Sequence, residues 1–165
     1  MHNVYICVGS NVGQRRINCQ KGLEFIEKFY DCSIQAQSAL YLTEPVDYKN
    51  QNWFINVLAL IKTDLEPFEL LKVFKTIEEK FGRNMDERRF GPRIIDIDIL
   101  LYDNLILNTP ELIIPHPRMH KRLFVLKPFC DINPNIIHPV LNRSIKELLK
   151  ELDTNGEKVI LADAA

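Results

Sequence analysis

The sequence predicts an α+β fold, a ferredoxin-like βαββαβ sandwich with a carboxy-terminal helical extension. The first observation behind this prediction is the order of apolar segments, in which short strand-like runs alternate with two runs of helical periodicity. The second is size, since 165 residues with 46% hydrophobic side chains suffice for one domain with its own core. We place that domain at residues 1–152 and interpret residues 153–165 as a tail or linker.

The first half of the chain is predicted to form a strand, a helix and two further strands. Residues 4–8 are a β-rich run that ends at a turn-forming Gly-Ser-Asn triplet. Apolar side chains then recur at helical spacing between residues 19 and 30. Residues 38–42 and 54–61 are predicted strands, and the polar segment 43–52 between them is predicted to be a loop.

The second half of the chain contributes a helix, a strand and a last helix. Pro67 stands near the first turn of the predicted helix, and Gly82 is placed to end it. Residues 94–102 alternate as a strand does. Four aliphatic residues are expected on the core face of that strand: Ile95, Ile97, Ile99 and Leu101. The pattern from Ser144 to Glu147 is a capping box that opens the last helix.

Charge and cysteine usage argue against several classes of protein. A net charge of −1 argues against general electrostatic binding to nucleic acid or to an anionic membrane. The sequence holds no apolar run that approaches the length of a membrane span. The four cysteines lack paired C-x-x-C spacing, so we interpret them as small buried hydrophobes in a reducing compartment. These features predict a cytoplasmic protein without nucleic-acid or membrane partners.

Two aspartates at alternate positions of the predicted strand 94–102 are the strongest chemical signal. Asp96 and Asp98 share one face of the strand, because successive side chains point to opposite faces. Adjacent carboxylates repel unless a cation lies between them, and oxygen ligands beside arginines suit Mg²⁺ together with a polyphosphate. The alternative is a pair of exposed strand acids without a role, although Asp is disfavoured in strands.

Two basic segments are candidates for phosphate binding. The loop 83–93 holds four arginines, and we favour Arg93 as a phosphate ligand because it lies just before the paired aspartates. In the segment 115–124, Arg122 could neutralise a phosphate. His116 in the same segment is as consistent with a structural role as with a phosphate contact.

Three aromatic and amide side chains are candidates for binding a flat heterocycle. Phe54 and Phe124 could sandwich such a ring, although two phenylalanines are more often core residues. Asn56 offers a donor and an acceptor together, which suits the polar edge of a ring. Glu78 lies inside the apolar stripe of the predicted helix, and its spacing fits an edge position and a site residue equally well.

A longer pattern resembles a known family of enzymes. The run Arg89-x-Gly-Pro-Arg93-x-x-Asp96-x-Asp98 is similar to the signature of the 6-hydroxymethyl-7,8-dihydropterin pyrophosphokinases of folate biosynthesis. The resemblance extends from Tyr5-Ile6-x-x-Gly9-Ser10-Asn11 to Pro115-His116 and Arg122-x-Phe124, in order and with compatible spacing. It implies transfer of the pyrophosphoryl group of ATP to the hydroxymethyl oxygen of the pterin, with release of AMP. It also implies ATP as co-substrate and two Mg²⁺ ions held by Asp96 and Asp98.

The resemblance also implies roles for individual residues. Those implied in catalysis are Asp96, Asp98, Arg93, Arg83 and Arg89. Those implied in ATP binding are Glu78, Arg83, Arg93, Ile99 (through its backbone), His116 and Arg122. Those implied in pterin binding are Thr43, Val46, Phe54, Asn56 and Phe124. Members of this family are often fused to other folate-pathway enzymes, so fusion to or association with such enzymes is open for this chain.

Two other classes of function stand beside the transferase. A ferredoxin-like nucleotide sensor would keep Arg93 and His116 but would not need paired aspartates. A metal-dependent hydrolase would use the same carboxylates with water as the nucleophile. Pterin-dependent release of AMP distinguishes the transferase from both.

Overall fold

A computed structural model describes residues 1–82 and 92–164 of the chain. Over these residues the protein is a mixed fold of an antiparallel sheet and four α-helices. The strands are β1 (His2–Ser10), β2 (Cys32–Gln37), β3 (Tyr41–Thr43), β4 (Phe54–Thr63), β5 (Asp96–Tyr102), β6 (Leu107–Asn108), β7 (Ile113–Ile114) and β8 (Val159–Leu161). The helices are α1 (Arg15–Phe29), α2 (Pro67–Lys80), α3 (Leu123–Ile132) and α4 (Ile145–Glu151). Within the described ranges, each helix is too short or too polar to cross a membrane.

Six strands form the main antiparallel sheet. β5 pairs with one edge of β1, and β4 pairs with the other edge. β2 and β3 lie end to end along the far side of β4, with β2 opposite residues 59–63 and β3 opposite residues 54–56. β8 pairs with β3, so the predicted tail contributes a strand to the sheet. β6 and β7 form a separate two-stranded sheet.

Different helices cover the two faces of the main sheet. α1 and α2 pack on one face, where Val4, Ile6 and Val8 of β1 belong to the larger core cluster. α3 and α4 pack on the other face, against Tyr5 and Cys7 of the same strand. Because both of its faces are covered, β1 is a nearly continuous apolar run rather than an alternating one.

The predicted start of α2 is confirmed. The backbone N–H of Glu66 donates to the carboxylate of Glu69 at 2.8 Å, which is one half of a capping box. Pro67 occupies the first turn, where its missing N–H costs no intrahelical hydrogen bond. Gly82 follows the helix with a φ of +91°, a conformation that favours glycine.

The prediction that Leu101 shares a face with Ile97 and Ile99 is wrong. Ile97 and Ile99 pack beneath α1 and α2, whereas Leu100 and Leu101 both belong to the cluster beneath α3 and α4. The cause is a register shift in the β1–β5 ladder, where Ile6 pairs with Ile99 but the preceding residue of β1 pairs with Leu101. The extra residue in β5 is a β-bulge, which interrupts the two-residue alternation.

Of the two helices that follow β5, the sequence analysis predicts only α4. Ser144 caps α4 as expected, since its hydroxyl accepts the backbone N–H of Glu147 at 3.2 Å. α3 was not predicted, and it carries Pro128 in its interior. Its buried residues provide much of the cover for the second face of the sheet.

Candidate active site

A cavity of about 250 Å³ opens on the face of the sheet that carries α3 and α4. It lies where Asp96, Gly9 and Asn56 pair across three neighbouring strands. Ten of the predicted site residues line it: Thr43, Val46, Phe54, Asn56, Arg93, Asp96, Asp98, His116, Arg122 and Phe124. Residues that are far apart in the sequence are therefore brought to one place by the fold.

Asp96 and Asp98 enter the cavity from one face of β5, as their alternate spacing predicts. Ile97 between them is 5% exposed and packs in the core on the opposite face. Cys7, which pairs with Asp98 across β1, also lines the cavity. Burial and the charges of Asp98 and Asp96 raise the pKa of the Cys7 thiol well above its usual range. The thiol therefore stays protonated beside the two carboxylates.

The two aspartates fit a Mg²⁺ site that a ligand completes. Carboxylate oxygens are donors that Mg²⁺ prefers, and the ion demands near-octahedral coordination. Among the described residues, no three His, Cys, Asp or Glu side chains cluster in a way that could hold a metal ion. The remaining coordination positions would therefore be filled by water and phosphate oxygens, as is usual where Mg²⁺ binds together with a nucleotide.

Arg93 is fixed in the cavity wall by hydrogen bonds to Asn11. The side-chain oxygen of Asn11 accepts the backbone N–H of Arg93 at 2.7 Å, and the backbone N–H of Asn11 donates to the carbonyl of Arg93 at 3.0 Å. The side-chain nitrogen of Asn11 donates to Gln51 at 2.8 Å and to the carbonyl of Asn52 at 3.0 Å. Asn11 thus joins the turn after β1 to the loop before β4 and to the segment before β5, which holds the Arg93 backbone in place.

His116 meets the cavity as a neutral imidazole with its proton on Nε2. Its Nδ1 accepts the backbone N–H of Arg118 at 3.1 Å, which assigns the proton to the other ring nitrogen. Burial and the nearby charges of Arg122 and Arg118 lower the pKa of His116 to about 4. The backbone N–H of His116 donates to the carbonyl of Leu100 at 2.9 Å and ties this segment to β5. His116 can therefore offer a ligand a hydrogen-bond donor rather than a positive charge.

Arg122 lies just before α3, beside an aromatic ring and an acid. Its guanidinium carbon is 5.3 Å from the centre of the Phe124 ring, and Nη2 is 4.0 Å from a carboxylate oxygen of Asp47. The Arg122 side chain is 12% exposed, which strengthens its electrostatic interactions relative to a surface arginine. Arg118 lines the same cavity, so three of the described arginines face it.

Thr43 and Asn56 form a buried polar pair in the cavity wall. The side-chain nitrogen of Asn56 donates to Oγ1 of Thr43 at 2.6 Å, and its oxygen accepts from the thiol of Cys7 at 3.8 Å. Gly9 lies directly against this amide, because a Cβ at position 9 would be 2.4 Å from Oδ1 of Asn56. A side chain at position 9 would displace the amide, so the geometry requires a glycine.

Phe54, Phe124 and Val46 supply apolar parts of the wall. Phe54 begins β4, and Phe124 lies in the first turn of α3, where it also packs on the neighbouring core residues. Both rings are partly exposed, so neither is a plain core residue. Val46 is 39% exposed. The cavity thus combines aromatic and aliphatic surface with a buried donor–acceptor pair.

Four predicted site residues do not belong to the described cavity wall. Glu78 is 6% exposed in α2, and its Oε1 accepts the backbone N–H of Ile97 at 3.0 Å, on the edge of β5 away from β1. Ile99 is 4% exposed, with its side chain in the core beneath α1 and α2. Arg83 and Arg89 lie outside the described residues.

The sequence analysis missed several residues of the cavity and its support. Asp47 and Gln51 line the cavity, but they appear in the sequence only as polar loop residues. Gly9 and Asn11 were visible as members of a turn-forming triplet. A turn signal does not reveal which distant segments the turn will contact, so their roles depend on the fold.

Comparison with known proteins places this arrangement in a family. The model of the 7,8-dihydro-6-hydroxymethylpterin-pyrophosphokinase (HPPK) family matches residues 5–134. The 2-amino-4-hydroxy-6-hydroxymethyldihydropteridine pyrophosphokinase of Aquifex aeolicus is 40% identical over 151 residues, which are 92% of this chain and 92% of that protein. The chain belongs to the HPPK family.

Other HPPK relatives differ in length. The pyrophosphokinase of Bacillus subtilis is 42% identical over 133 residues, which cover 80% of this chain and 79% of that protein. The folic acid synthesis protein FOL1 of Dictyostelium discoideum is 42% identical over 153 residues, which cover 93% of this chain and 23% of that protein. This chain therefore matches about a quarter of the Dictyostelium protein and most of the bacterial ones.

Solved HPPK structures share the fold. A crystal structure of wild-type Plasmodium falciparum HPPK-DHPS with SDX-DHP superposes with a TM-score of 0.70 at 20% identity, covering 92% of this chain and 43% of that chain. The same wild-type protein with pteroate gives a TM-score of 0.72 at 18% identity, covering 91% of this chain and 42% of that chain. At these identities the likeness concerns the fold alone.

Proposed function

We propose that this protein transfers the pyrophosphoryl group of ATP to 6-hydroxymethyl-7,8-dihydropterin, giving the pterin diphosphate and AMP in folate biosynthesis. The main support for the proposal is that Asp96, Asp98 and Arg93 line the same cavity as Phe54 and Asn56. This cavity combines acids that suit Mg²⁺, a buried arginine that suits phosphate, and a polar pair that suits the edge of a heterocycle. Membership of the HPPK family supports the same activity.

Asp96 and Asp98 are the residues we propose to hold two Mg²⁺ ions. When bound, these ions would neutralise phosphate charge and favour ionisation of the attacking hydroxyl. The carboxylates serve to fix the position of the phosphates relative to the pterin, since phosphoryl-type transfer depends mainly on positioning and electrostatics. The hydroxymethyl oxygen loses its proton to water and forms a bond to the β-phosphorus of ATP, and the bond from that phosphorus to the α-phosphate oxygen breaks, so that AMP leaves.

The remaining residues divide into a nucleotide side and a pterin side in this proposal. Arg93, His116 and Arg122 contact the phosphates, and we assign the same role to Arg83 and Arg89, which lie outside the described residues. Ile99 contacts adenine through its backbone. The N–H of Ile97 points to the edge of β5 away from β1. Because residues two apart in a strand direct their backbone groups to the same edge, the backbone of Ile99 is expected to face that edge too, which supports this contact. Glu78 acts on the nucleotide side by holding that edge of β5.

The pterin side comprises Thr43, Val46, Phe54, Asn56 and Phe124. The two rings would stack on the faces of the pterin, and the amide of Asn56 would hydrogen-bond its polar edge. The hydrogen bond from Asn56 to Thr43 fixes the orientation of that amide before the ligand arrives. This arrangement reduces the entropy that binding must overcome.

An assay of nucleotide products tests the proposal. Protein is incubated with ATP, Mg²⁺ and 6-hydroxymethyl-7,8-dihydropterin, and AMP is followed with and without the pterin. We expect pterin-dependent AMP, and we expect Asp96→Asn to lower its rate at least about a hundredfold, because metal charge contributes several kcal/mol to the transition state. Glu111→Gln, a matched loss of an exposed carboxylate, should leave the rate unchanged.

Three outcomes of this assay would contradict the proposal in whole or in part. ADP or phosphate formed without pterin would indicate a hydrolase, and absence of turnover would indicate a nucleotide sensor. Near-wild-type turnover in Asp96→Asn would remove the proposed role of the paired aspartates.

The proposal also covers the type of fold, the bounds of the domain, the cellular location and the association with other enzymes. The strand order β5, β1, β4, with β2 and β3 beyond β4, supports a ferredoxin-like arrangement to which α3 and α4 are added as an extension. We propose residues 1–152 as the pyrophosphokinase domain, to whose sheet the tail adds β8, and a cytoplasmic location, which the free cysteines support. Fusion to or association with other folate enzymes is proposed from relatives such as the folate synthesis bifunctional protein of Arabidopsis thaliana.

A further inference from the structure

The carboxy-terminal tail passes behind one wall of the cavity after α4 ends. Val159 pairs with Thr43 in the sheet, and the backbone N–H of Glu44 donates to the carbonyl of Lys158 at 3.0 Å. Thr43 and Glu44 both line the cavity. Residues 157–159, which we name the strap, are therefore bonded on one side to the cavity segment 43–47.

The other side of the strap is fixed to α3. Nζ of Lys127 donates to the carbonyl of Val159 at 2.6 Å. The side chain of Val159 is 3% exposed and packs with Leu123 in a small core cluster. Burial raises the pKa of the Glu157 carboxyl, and the nearby Leu123 backbone acts in the opposite direction. Contacts from the strap thus converge on the first two turns of α3.

Leu123 lies between two cavity residues, Arg122 and Phe124. The strap consequently joins two parts of the cavity wall, the segment 43–47 and the start of α3, that are about 80 residues apart in the chain. The family match ends at residue 134, so the strap lies beyond the matched region.

We propose that the strap positions the pterin side of the cavity and thereby sets the affinity for the pterin. This inference rests on the proposed function. Its physical basis is that Thr43, which orients the amide of Asn56, and Phe124, which would stack on the pterin, lie on different elements, and the strap bridges those elements. Among the described residues proposed for the nucleotide side, Arg93 and His116 lie on other elements and Arg122 alone adjoins the contacts of the strap, so the strap acts on the pterin more than on the nucleotide.

Variants of Lys127 test this role in the full chain. Lys127→Met removes the ammonium donor and keeps the aliphatic stem, whereas Lys127→Arg keeps a donor. Lys150→Met makes the same chemical change on the exposed surface of α4 and is the matched control. Isothermal titration gives the Kd of 6-hydroxymethylpterin in the presence of a non-hydrolysable ATP analogue, and the Kd of the analogue alone. Thermal unfolding establishes that each variant is folded.

We expect Lys127→Met to weaken pterin binding about threefold to tenfold, which is less than the full effect of a lost charge-assisted hydrogen bond because Lys127 acts on the pterin through the strap. Binding of the ATP analogue should stay within about twofold, and Lys127→Arg and Lys150→Met should resemble the wild type. Val159→Ala acts on the strap without changing charge, by removing its packing against Leu123, and should show the same pterin-selective loss.

Unchanged pterin affinity in both Lys127→Met and Val159→Ala would overturn the inference. An equal loss of pterin and nucleotide affinity would also overturn it, because that pattern indicates general loosening of the fold. Failure of the wild-type protein to bind pterin would instead refute the proposed function on which the inference rests.

Discussion

His116 shows how burial selects one chemical form of a residue. The backbone N–H of Arg118 occupies Nδ1, so only Nε2 is left to donate to a ligand. The lowered pKa keeps the ring neutral through the physiological range. From the sequence, a structural role and a phosphate contact were equally consistent, since neither burial nor the neighbouring arginines can be seen in a one-dimensional pattern.

The pKa of His116 predicts a pH dependence of folding stability. The folded value of about 4 lies below the usual 6.5, so the unfolded chain binds more protons between these values. The contribution of His116 to the free energy of unfolding is full above pH 6.5 and is lost as the pH falls towards 4. Between pH 7 and 5, wild type should lose about 2 kcal/mol more than His116→Gln, which does not titrate there.

Urea unfolding of both proteins at pH 7 and pH 5 measures that difference. His120 and His138 also have lowered pKa values caused by burial, but both proteins contain them, so their contribution cancels. Identical losses in the two proteins would show that the pKa of His116 is not lowered on folding.

At the scale of the element, β5 depends on Glu78 of α2. The Glu78 carboxylate accepts the N–H of Ile97 between the two aspartates, on the edge that has no strand partner in the described sheet. Glu78→Ala should lower the free energy of unfolding by about 2–4 kcal/mol, since it removes the acceptor of a buried N–H. Glu78→Gln keeps an acceptor and should lose less. Urea unfolding beside Glu79→Ala, an exposed neighbour on α2, provides the comparison.

One other result of these measurements would indicate that Glu78 contacts the nucleotide directly. In that case Glu78→Ala would keep the stability of the wild type, and titration with an ATP analogue would show a loss of affinity alone.

Elements with strong periodicity could be predicted from the sequence, and short or irregular ones could not. α2 combines an apolar stripe with a capping box, and both signals are local. α3 has Pro128 in its interior, a residue that argues against a helix, and tertiary packing overrides that preference. β8 is only three residues long, and its pairing with β3 is a long-range contact that a local sequence pattern does not predict.

At the scale of the whole molecule, the fold sets the charge of the cavity. Glu44, Asp47, Asp96 and Asp98 line it, against Arg93, Arg118 and Arg122, and His116 is neutral. Among the described lining residues the acids therefore exceed the arginines by one, which disfavours a polyanion. The chain as a whole also carries −1, so the surface offers little compensation.

This balance predicts that nucleotide binding depends on Mg²⁺. Removing Mg²⁺ with a chelator should weaken binding of a non-hydrolysable ATP analogue at least about tenfold, because phosphates and carboxylates then repel. Binding of 6-hydroxymethylpterin, which is uncharged, should change little. Titration of each ligand with and without Mg²⁺ gives the comparison, and equal affinity of the analogue in both conditions would contradict the assignment of the paired aspartates.

More of the residues that line the cavity could be predicted from the sequence than of the contacts that hold them in place. The spacing of Asp96 and Asp98 indicates a site, residue chemistry adds candidates such as Arg93 and Asn56, and the family resemblance adds Thr43 and Val46. The hydrogen bonds of Asn11 and the close approach of Gly9 to Asn56 depend on which segments the sheet brings together. Such contacts belong to the folded state and leave no periodic trace in the sequence.

The bulge in β5 has a consequence for how this chain tolerates insertions and deletions. Adding or removing one residue in a regular strand exchanges the outward and inward sets of side chains. The irregularity opposite Tyr5 and Ile6 lies beyond Asp98, towards Tyr102. A residue added or removed between the bulge and Tyr102 therefore leaves Asp96 and Asp98 on the same face of β5. Insertions and deletions towards β6 should not change the orientation of the two carboxylates.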